Sequence, residues 1–158
     1  MIKIVAVGKV KEKWLKEGVD EFLKRIKGYD KIEIVEVNDS KAPITNSEKE
    51  NLIVKEEEGN RILKQIKEDE FVILLDLDGK SKDSIEMAKY LQSLYDTSKS
   101  KITFIIGASL GVSEEVRRRA DYRWKIADVT FPHQLCRLIL LEQIYRCFRI
   151  NHNEPYHK

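Results

Sequence analysis

Four stretches of this 158-residue chain hold side chains suited to chemistry. In Leu74-Leu75-Asp76-Leu77-Asp78-Gly79-Lys80-Ser81 an apolar run ends in two carboxylates, a glycine and a lysine. Carboxylates two apart at a strand end can divide labour, one attacking an electrophile and the other moving a proton. In Ile106-Gly107-Ala108-Ser109-Leu110-Gly111 a glycine directly follows a buried run, where the backbone must turn sharply or approach something closely. Ile126-Ala127-Asp128-Val129-Thr130-Phe131-Pro132-His133 leads into a long apolar segment. Pro132 suits a first helical turn, and His133 would then stand beside free backbone N–H groups. The tail, Asn151-His152-Asn153-Glu154-Pro155-Tyr156-His157-Lys158, carries two of the three histidines and an aromatic ring. Such a set can stack on a base and exchange a proton or bind phosphate.

Spacing excludes several other chemistries. Gly79-Lys80-Ser81 is no phosphate loop, because the glycine required five positions earlier is Leu74. No Gly-x-Gly-x-x-Gly occurs anywhere, which argues against a dinucleotide site. His133, His152 and His157 form no zinc spacing with Cys136 or Cys147, so no metal is expected. Asp76-Leu77-Asp78-Gly79 resembles the nucleophile motif of haloacid-dehalogenase-type phosphatases, but no later strand supplies a carboxylate pair for magnesium; Asp121 and Asp128 stand alone. Taken singly, the features also have plain readings as exposed turn aspartates, a polar helix cap and a solvated tail.

The elements that position these residues follow from periodicity. Ile2, Ile4, Val5 and Val7 run into Gly8 as a buried strand, and Trp14, Leu15, Val19, Phe22, Leu23 and Ile26 have helical spacing up to Gly28. Residues 32–37 form a second strand, 38–47 with Pro43 a loop, and 48–67 a helix dense in Glu and Lys. Phe71 to Leu77 has almost no polar face, the pattern of a central parallel strand covered on both sides. A helix over 83–95, an apolar strand over 102–106, a short arginine-rich helix capped by Ser113, a strand over 123–126 and a long helix over 134–149 complete the order. Alternation without repeat or linker predicts one α/β domain over 1–158, with a mainly parallel sheet and helices on both faces. Sites in such sheets form at the carboxyl ends of strands, where the first three stretches fall. The last helix is apolar on more than one face. At the edge of so small a domain it has one side to bury, so the surplus predicts a homodimer through that helix.

Composition sets the outer limits. With 42% hydrophobic and 35% charged residues, seven glycines and three prolines, the chain suits a globule and neither a disordered nor a fibrous polymer. The 29 basic and 27 acidic residues give no general case for a polyanion binder. Yet Arg117, Arg118, Arg119, Arg123, Arg137, Arg146 and Arg149 crowd the last third, with only Arg25 and Arg61 before it. The planar guanidinium fork suits phosphate, so an RNA contact is expected there. Cys136 and Cys147 lie about three turns apart on one helix, beyond disulfide reach. Apolar runs are far short of a membrane span and no cleavable presequence is evident, so a reducing cytoplasm is the expected location.

Ala6-Val7-Gly8-Lys9, Leu75-Asp76 with Gly79-Lys80, Phe104-Ile105-Ile106-Gly107 with Ser109-Leu110-Gly111, Thr130-Phe131-Pro132-His133, Glu142-Gln143-Ile144-Tyr145-Arg146 and Pro155-Tyr156-His157-Lys158 together cover nearly the whole chain in order. This ordered set resembles the RlmH (YbeA-like) family of SPOUT-class rRNA methyltransferases. The resemblance implies an α/β fold with a trefoil knot over about 101–150, a C-terminal tail over 151–158, and a homodimer. It also implies transfer of a methyl group from S-adenosyl-L-methionine to N3 of a pseudouridine in helix 69 of 23S rRNA on the assembled ribosome. Carried onto matching positions, the cofactor would contact Leu75, Gly107, Ile126, Ala127, Asp128, Val129, Thr130 and Phe131.

On that basis His133 or His157 is expected as general base, with Tyr156 positioning the acceptor base. Arg146, with Arg137, would hold phosphate or balance charge, and Arg137, Arg146, Tyr156 and His157 would form the RNA contact. One departure stands out: the family has two adjacent glycines where this chain has Gly107-Ala108, a change that is tolerated if φ at Ala108 is negative. Two other classes of function stay open on the sequence, a small magnesium-dependent phosphatase using Asp76 and Asp78 and a noncatalytic ribosome-binding protein.

Overall fold

In the computed structural model, which describes residues 1–41, 44–45 and 47–158, strands and helices alternate along the chain. They are β1 (Ile2–Val7), α1 (Lys13–Ile26), β2 (Ile32–Val37), α2 (Glu48–Leu63), β3 (Phe71–Ser81), α3 (Ser84–Asp96), β4 (Ile102–Ile106), α4 (Glu114–Arg119), β5 (Tyr122–Lys125) and α5 (His133–Asn151). The strands form one sheet in the order β2-β1-β4-β3-β5, every neighbouring pair parallel. Pro43, within the loop expected between β2 and α2, lies outside the described residues. Nearer β2 that loop is pinned by α2: the Ser40 N–H donates to Glu58 Oε2 at 3.0 Å, and Arg61 donates to the Asn38 carbonyl and the Ser40 hydroxyl.

Successive side chains of a strand point to opposite faces, and β1 feeds two cores this way. Ile2, Ile4 and Ala6 join Val19 and Ile26 of α1, Leu91 and Leu94 of α3, and Leu140, Leu141 and Ile144 of α5. Val5 and Val7 join Ile62 of α2 and Val116 of α4 on the other face. Each full burial of an Ile or Leu contributes about 1.5–3 kcal/mol, which is why β4, buried at every position, admits almost no polar residue. Its exception, Thr103, donates its hydroxyl to Glu70 at 2.9 Å.

The expected edge placement of the last helix is corrected by the packing. α5 lies between α1 and α3. On one flank a Cβ added at Gly18 would stand 3.2 Å from Leu138, and Phe22 meets Tyr145 edge-on at 5.9 Å. On the other, Ser84 donates to Gln143 at 2.7 Å and Asn151 to the Ala88 carbonyl at 2.9 Å. The lateral apolar surface of α5 is thus largely covered within the chain, and the strip turned away from Ile144, with Leu135 and Ile139, stays partly exposed.

Two boundaries differ from the sequence expectation. α2 stops at Leu63 because Gln65 and Ile66 turn back onto the Ile62 and Leu63 carbonyls, which brings Ile66 to the second core. β3 runs past Leu77 to Ser81 because it leaves its ladder with β5 and rejoins it. Leu75 and Lys80 both pair with Trp124, so residues 76–79 bulge out between them.

Candidate active site

The carboxyl ends of β3, β4 and β5 open on one cavity of ≈ 670 Å³. Its wall takes Leu75 to Asp78 from the β3 bulge, Ile106 to Val112 after β4, and residues 124–127 and 129–133 after β5. All three turns singled out in the sequence therefore meet. Leu75, Gly107, Ile126, Ala127, Val129, Thr130 and Phe131 line the cavity. Asp128 is the exception: its exposed carboxylate turns back to Lys125 at 2.8 Å.

Local geometry explains why these turns are shaped as they are. A Cβ at Gly107 would stand 2.6 Å from Val112 Cγ1, so the loop closes on the bare glycine. Ala108 and Gly111 form an isolated bridge, with the Gly111 N–H donating to the Ala108 carbonyl at 2.9 Å and Gly111 at φ +87°. Ala108 is not among the residues with positive φ, so the methyl group sits there without backbone strain, as the sequence argument required. At Gly79 an added Cβ would meet the Arg123 carbonyl at 2.6 Å, which marks where the β3 bulge folds back onto β5. Asp76 braces the bulge, accepting from the Asp78 N–H at 2.9 Å and facing Arg123 at 3.3 Å. Its carboxylate is thereby occupied. Among the described residues no group of three or more His, Cys, Asp or Glu side chains is placed to hold a metal ion, so the arrangement does not favour the phosphatase reading.

His133 lines the cavity at the first residue of α5. Pro132 is its N-cap, an entry that needs no N–H from that residue. Cys136 also lines the wall, and burial pushes its thiol pKa upward. Arg117 reaches the cavity from α4 with its Nε buried and unpartnered, the nearest carboxylate, Glu114, lying 3.9 Å from Nη1.

The other expected site residues gather elsewhere. Glu142 Oε1 accepts from Arg146 Nε at 2.9 Å, from Arg146 Nη2 at 2.5 Å and from the Tyr156 hydroxyl at 3.1 Å. The Arg146 guanidinium lies 4.7 Å from the Tyr156 ring centroid, and its Nη1 is 3.1 Å from His157 Nδ1. Burial and the Glu142 carboxylate both push the Tyr156 phenol pKa upward. The tail is drawn there by Arg149, which donates to Glu154 and to the Pro155 carbonyl, while Tyr29 donates to Glu154 at 2.9 Å. His133 and Arg146 are separated by about 20 Å along α5 at 1.5 Å per residue. Within one chain the cavity and the tail cluster are therefore two places.

Arg137 belongs to neither. It is 2% exposed, with Nη1 2.6 Å from Glu36 Oε2 and Nη2 3.2 Å from the Gly8 carbonyl. Two of its nitrogens are thus committed to the ends of β1 and β2, and its buried Nε has no partner. In the sequence Arg117 stands out only as one of the clustered arginines and Glu142 only within the Glu142-to-Arg146 motif, and Trp124 is not singled out. Trp124 announces itself only as an aromatic in the strand before the third turn, whereas Glu142 and Arg146 carry the four-residue spacing of a helical ion pair.

Comparison with known proteins shows the family. A family model described as predicted SPOUT methyltransferase matches residues 1–157. The chain is 55% identical over 157 residues to a Clostridioides difficile (strain 630) protein named ribosomal RNA large subunit methyltransferase H, covering 99% of each. A Bacillus cytotoxicus protein of the same name is 54% identical with the same coverage. Among solved structures, a probable methyltransferase from Bordetella pertussis Tohama I superposes with a TM-score of 0.56, covering 92% of this chain and 95% of that one at 13% identity, which speaks to the fold. The chain belongs to the SPOUT methyltransferase family.

Proposed function

We propose that this protein methylates large-subunit rRNA, using S-adenosyl-L-methionine to modify N3 of a pseudouridine in helix 69 of 23S rRNA on the assembled ribosome. The observation that carries the reading is the convergence of three strand-end turns on one cavity. Its ≈ 670 Å³ falls within the ~300–1,000 Å³ of small-ligand pockets. The names of the closely similar relatives support the RNA class of substrate. The same reading threads the chain as a trefoil knot over about 101–150 and makes the cytoplasm the place of action.

The residues present suit the cofactor. Leu75, Ile126, Val129 and Phe131 offer an apolar wall for a purine, and bare Gly107 lets the backbone come close. Asp78 on one wall and Arg117 on another suit the two charged groups of an amino-acid moiety. Bound there, the cofactor supplies a methyl group made electrophilic by its sulfonium. The chain's own task is then to hold N3 in line with that methyl carbon and to accept one weakly acidic proton. His133 lies on the cavity wall for that task.

A second copy resolves the 20 Å separation of cavity and tail. Leu135 and Ile139 give α5 an outward apolar strip, and Trp14 is exposed on α1, the helix packed against α5. Packing through this strip would carry the Arg146, Tyr156 and His157 cluster of one copy toward the cavity of the other, so that each site is built from two chains.

Incubating purified ribosomes with labelled S-adenosylmethionine and mapping the label in the rRNA tests the reading. Label at one pseudouridine of helix 69 is expected. Cofactor binding without any transfer to 23S rRNA would overturn it in favour of a noncatalytic ribosome-binding role.

A further inference from the structure

The Glu142, Arg146 and His157 chain has a direction that its hydrogen-bond chemistry dictates. Arginine has five N–H donors and no acceptor. Arg146 Nη1 stands 3.1 Å from His157 Nδ1, so the bond between them needs the lone pair of Nδ1. A doubly protonated imidazolium has no such lone pair, and a ring carrying its single proton on Nδ1 has none there either. Arg146 is itself held in place, because two of its nitrogens are anchored to one oxygen of Glu142 and its guanidinium carbon lies over the Tyr156 ring. Gln143 fixes Glu142 in turn, donating to Oε2 at 2.9 Å. The charged groups around the tail, Glu142 and Arg146 on α5 and Arg25 on α1, act on Tyr156 as well.

We infer that Glu142 is a positioning residue which, through Arg146, fixes His157 as a neutral ring with its proton on Nε2, so that His157 meets substrate as a hydrogen-bond donor and not as a base. The inference rests on the proposed methyl transfer for its role. Loss of the proton from N3 of a uracil-type ring spreads negative charge onto the two flanking carbonyl oxygens. A donor aimed at one of those oxygens, backed by a guanidinium, stabilises that anion as it forms. The proton itself then goes to the other candidate, the His133 imidazole on the cavity wall.

Nitrogen-15 NMR of the full-length protein reads the tautomer directly, with the His157 signals assigned by their loss in His157→Gln. An unprotonated Nδ1 and a protonated Nε2 near pH 7.5 are expected, and Glu142→Gln should shift His157 toward the tautomer mixture of a free imidazole while leaving the His133 signals in place. In methyl transfer to ribosomes, glutamine presents an N–H near the Nε2 position but cannot take a proton. His157→Gln should therefore exceed His157→Ala by at least about tenfold in kcat. A charged or Nδ1-protonated His157 in the unmodified protein overturns the inference, as does a His157→Gln variant no more active than His157→Ala. Absence of transfer by the unmodified protein would instead strike the proposed function, with the tautomer measurement still deciding the protonation of His157.

Discussion

Arg137 and Glu36 join across 101 residues of sequence, Nη1 to Oε2 at 2.6 Å, and tie the carboxyl end of the edge strand β2 to α5. The arginine is buried while its partner is partly open to water, so the pair is discounted for solvent but not negligible. Arg137→Ala should destabilise the fold by about 2 kcal/mol, since it leaves the Gly8 carbonyl without its donor and a cavity where the guanidinium lay. Thermal unfolding measures this. An unchanged midpoint, together with weakened RNA binding, would assign Arg137 to the RNA contact instead of the fold.

The glycine loop makes an asymmetric prediction. Gly107→Ala drives a methyl group to 2.6 Å from Val112, and the loop must shift into the cavity to relieve it, so cofactor affinity should fall at least about tenfold at a cost of about 1–3 kcal/mol in stability. Ala108→Gly, next to it, should leave affinity within about twofold, because Ala108 already has an unstrained backbone. Calorimetric titration with S-adenosylmethionine distinguishes the two. Equal affinity in both variants would mean that the loop does not contact the cofactor.

Glu58 gives the fold a dependence on pH with a defined sign. Burial raises its carboxyl pKa above the usual range, against a lowering by the Ser40 N–H, and its Oε1 has no partner among the described residues. A carboxyl with a raised folded-state pKa binds its proton more tightly when folded, so its contribution is present below the ordinary value and is lost as pH rises through the raised one. Glu58→Gln keeps an acceptor for Ser40 without the buried charge. It should add about 1 kcal/mol at pH 7 and nothing near pH 4. Denaturant titrations at the two pH values check it, and a variant less stable at pH 7 than the parent refutes it.

Dimerisation is tested on the outward strip of α5. Leu135→Glu or Ile139→Glu places a charge on a surface that a partner would bury, and sedimentation should show the dimer mass replaced by the monomer mass with the thermal midpoint little changed. Methyl transfer should disappear with it. A monomer mass for the unmodified protein at every concentration would end the two-chain site.

Much of the architecture was legible in the residues. Ile102 to Ile106 and Phe71 to Leu74 are apolar because both their faces are covered, and that pattern needs no long-range knowledge to read. The β3 bulge was not legible. Leu77 continues the apolar run although it is exposed, and the return of the strand depends on Trp124 pairing twice and on the bare Gly79 against Arg123. Arg137 looked like a free cation because nothing near it in sequence announces Glu36. The tail was half visible: Glu142 and Arg146 have the spacing of a helical pair, whereas the approach of Tyr156 and His157 depends on Asn153 adopting φ 54° and on Arg149 capturing Glu154.

The doubly paired Trp124 also equips this protein with its own optical gauge. Of the two tryptophans, Trp14 stands 60% exposed on α1 while Trp124 is 2% exposed beneath the bulge and borders the cavity. In the Leu135→Glu monomer their emission should separate into a red, iodide-quenchable component from Trp14 and a blue, protected one from Trp124. A Trp14→Phe variant would isolate the buried indole, and a molecule entering the cavity could then be followed by fluorescence without any label.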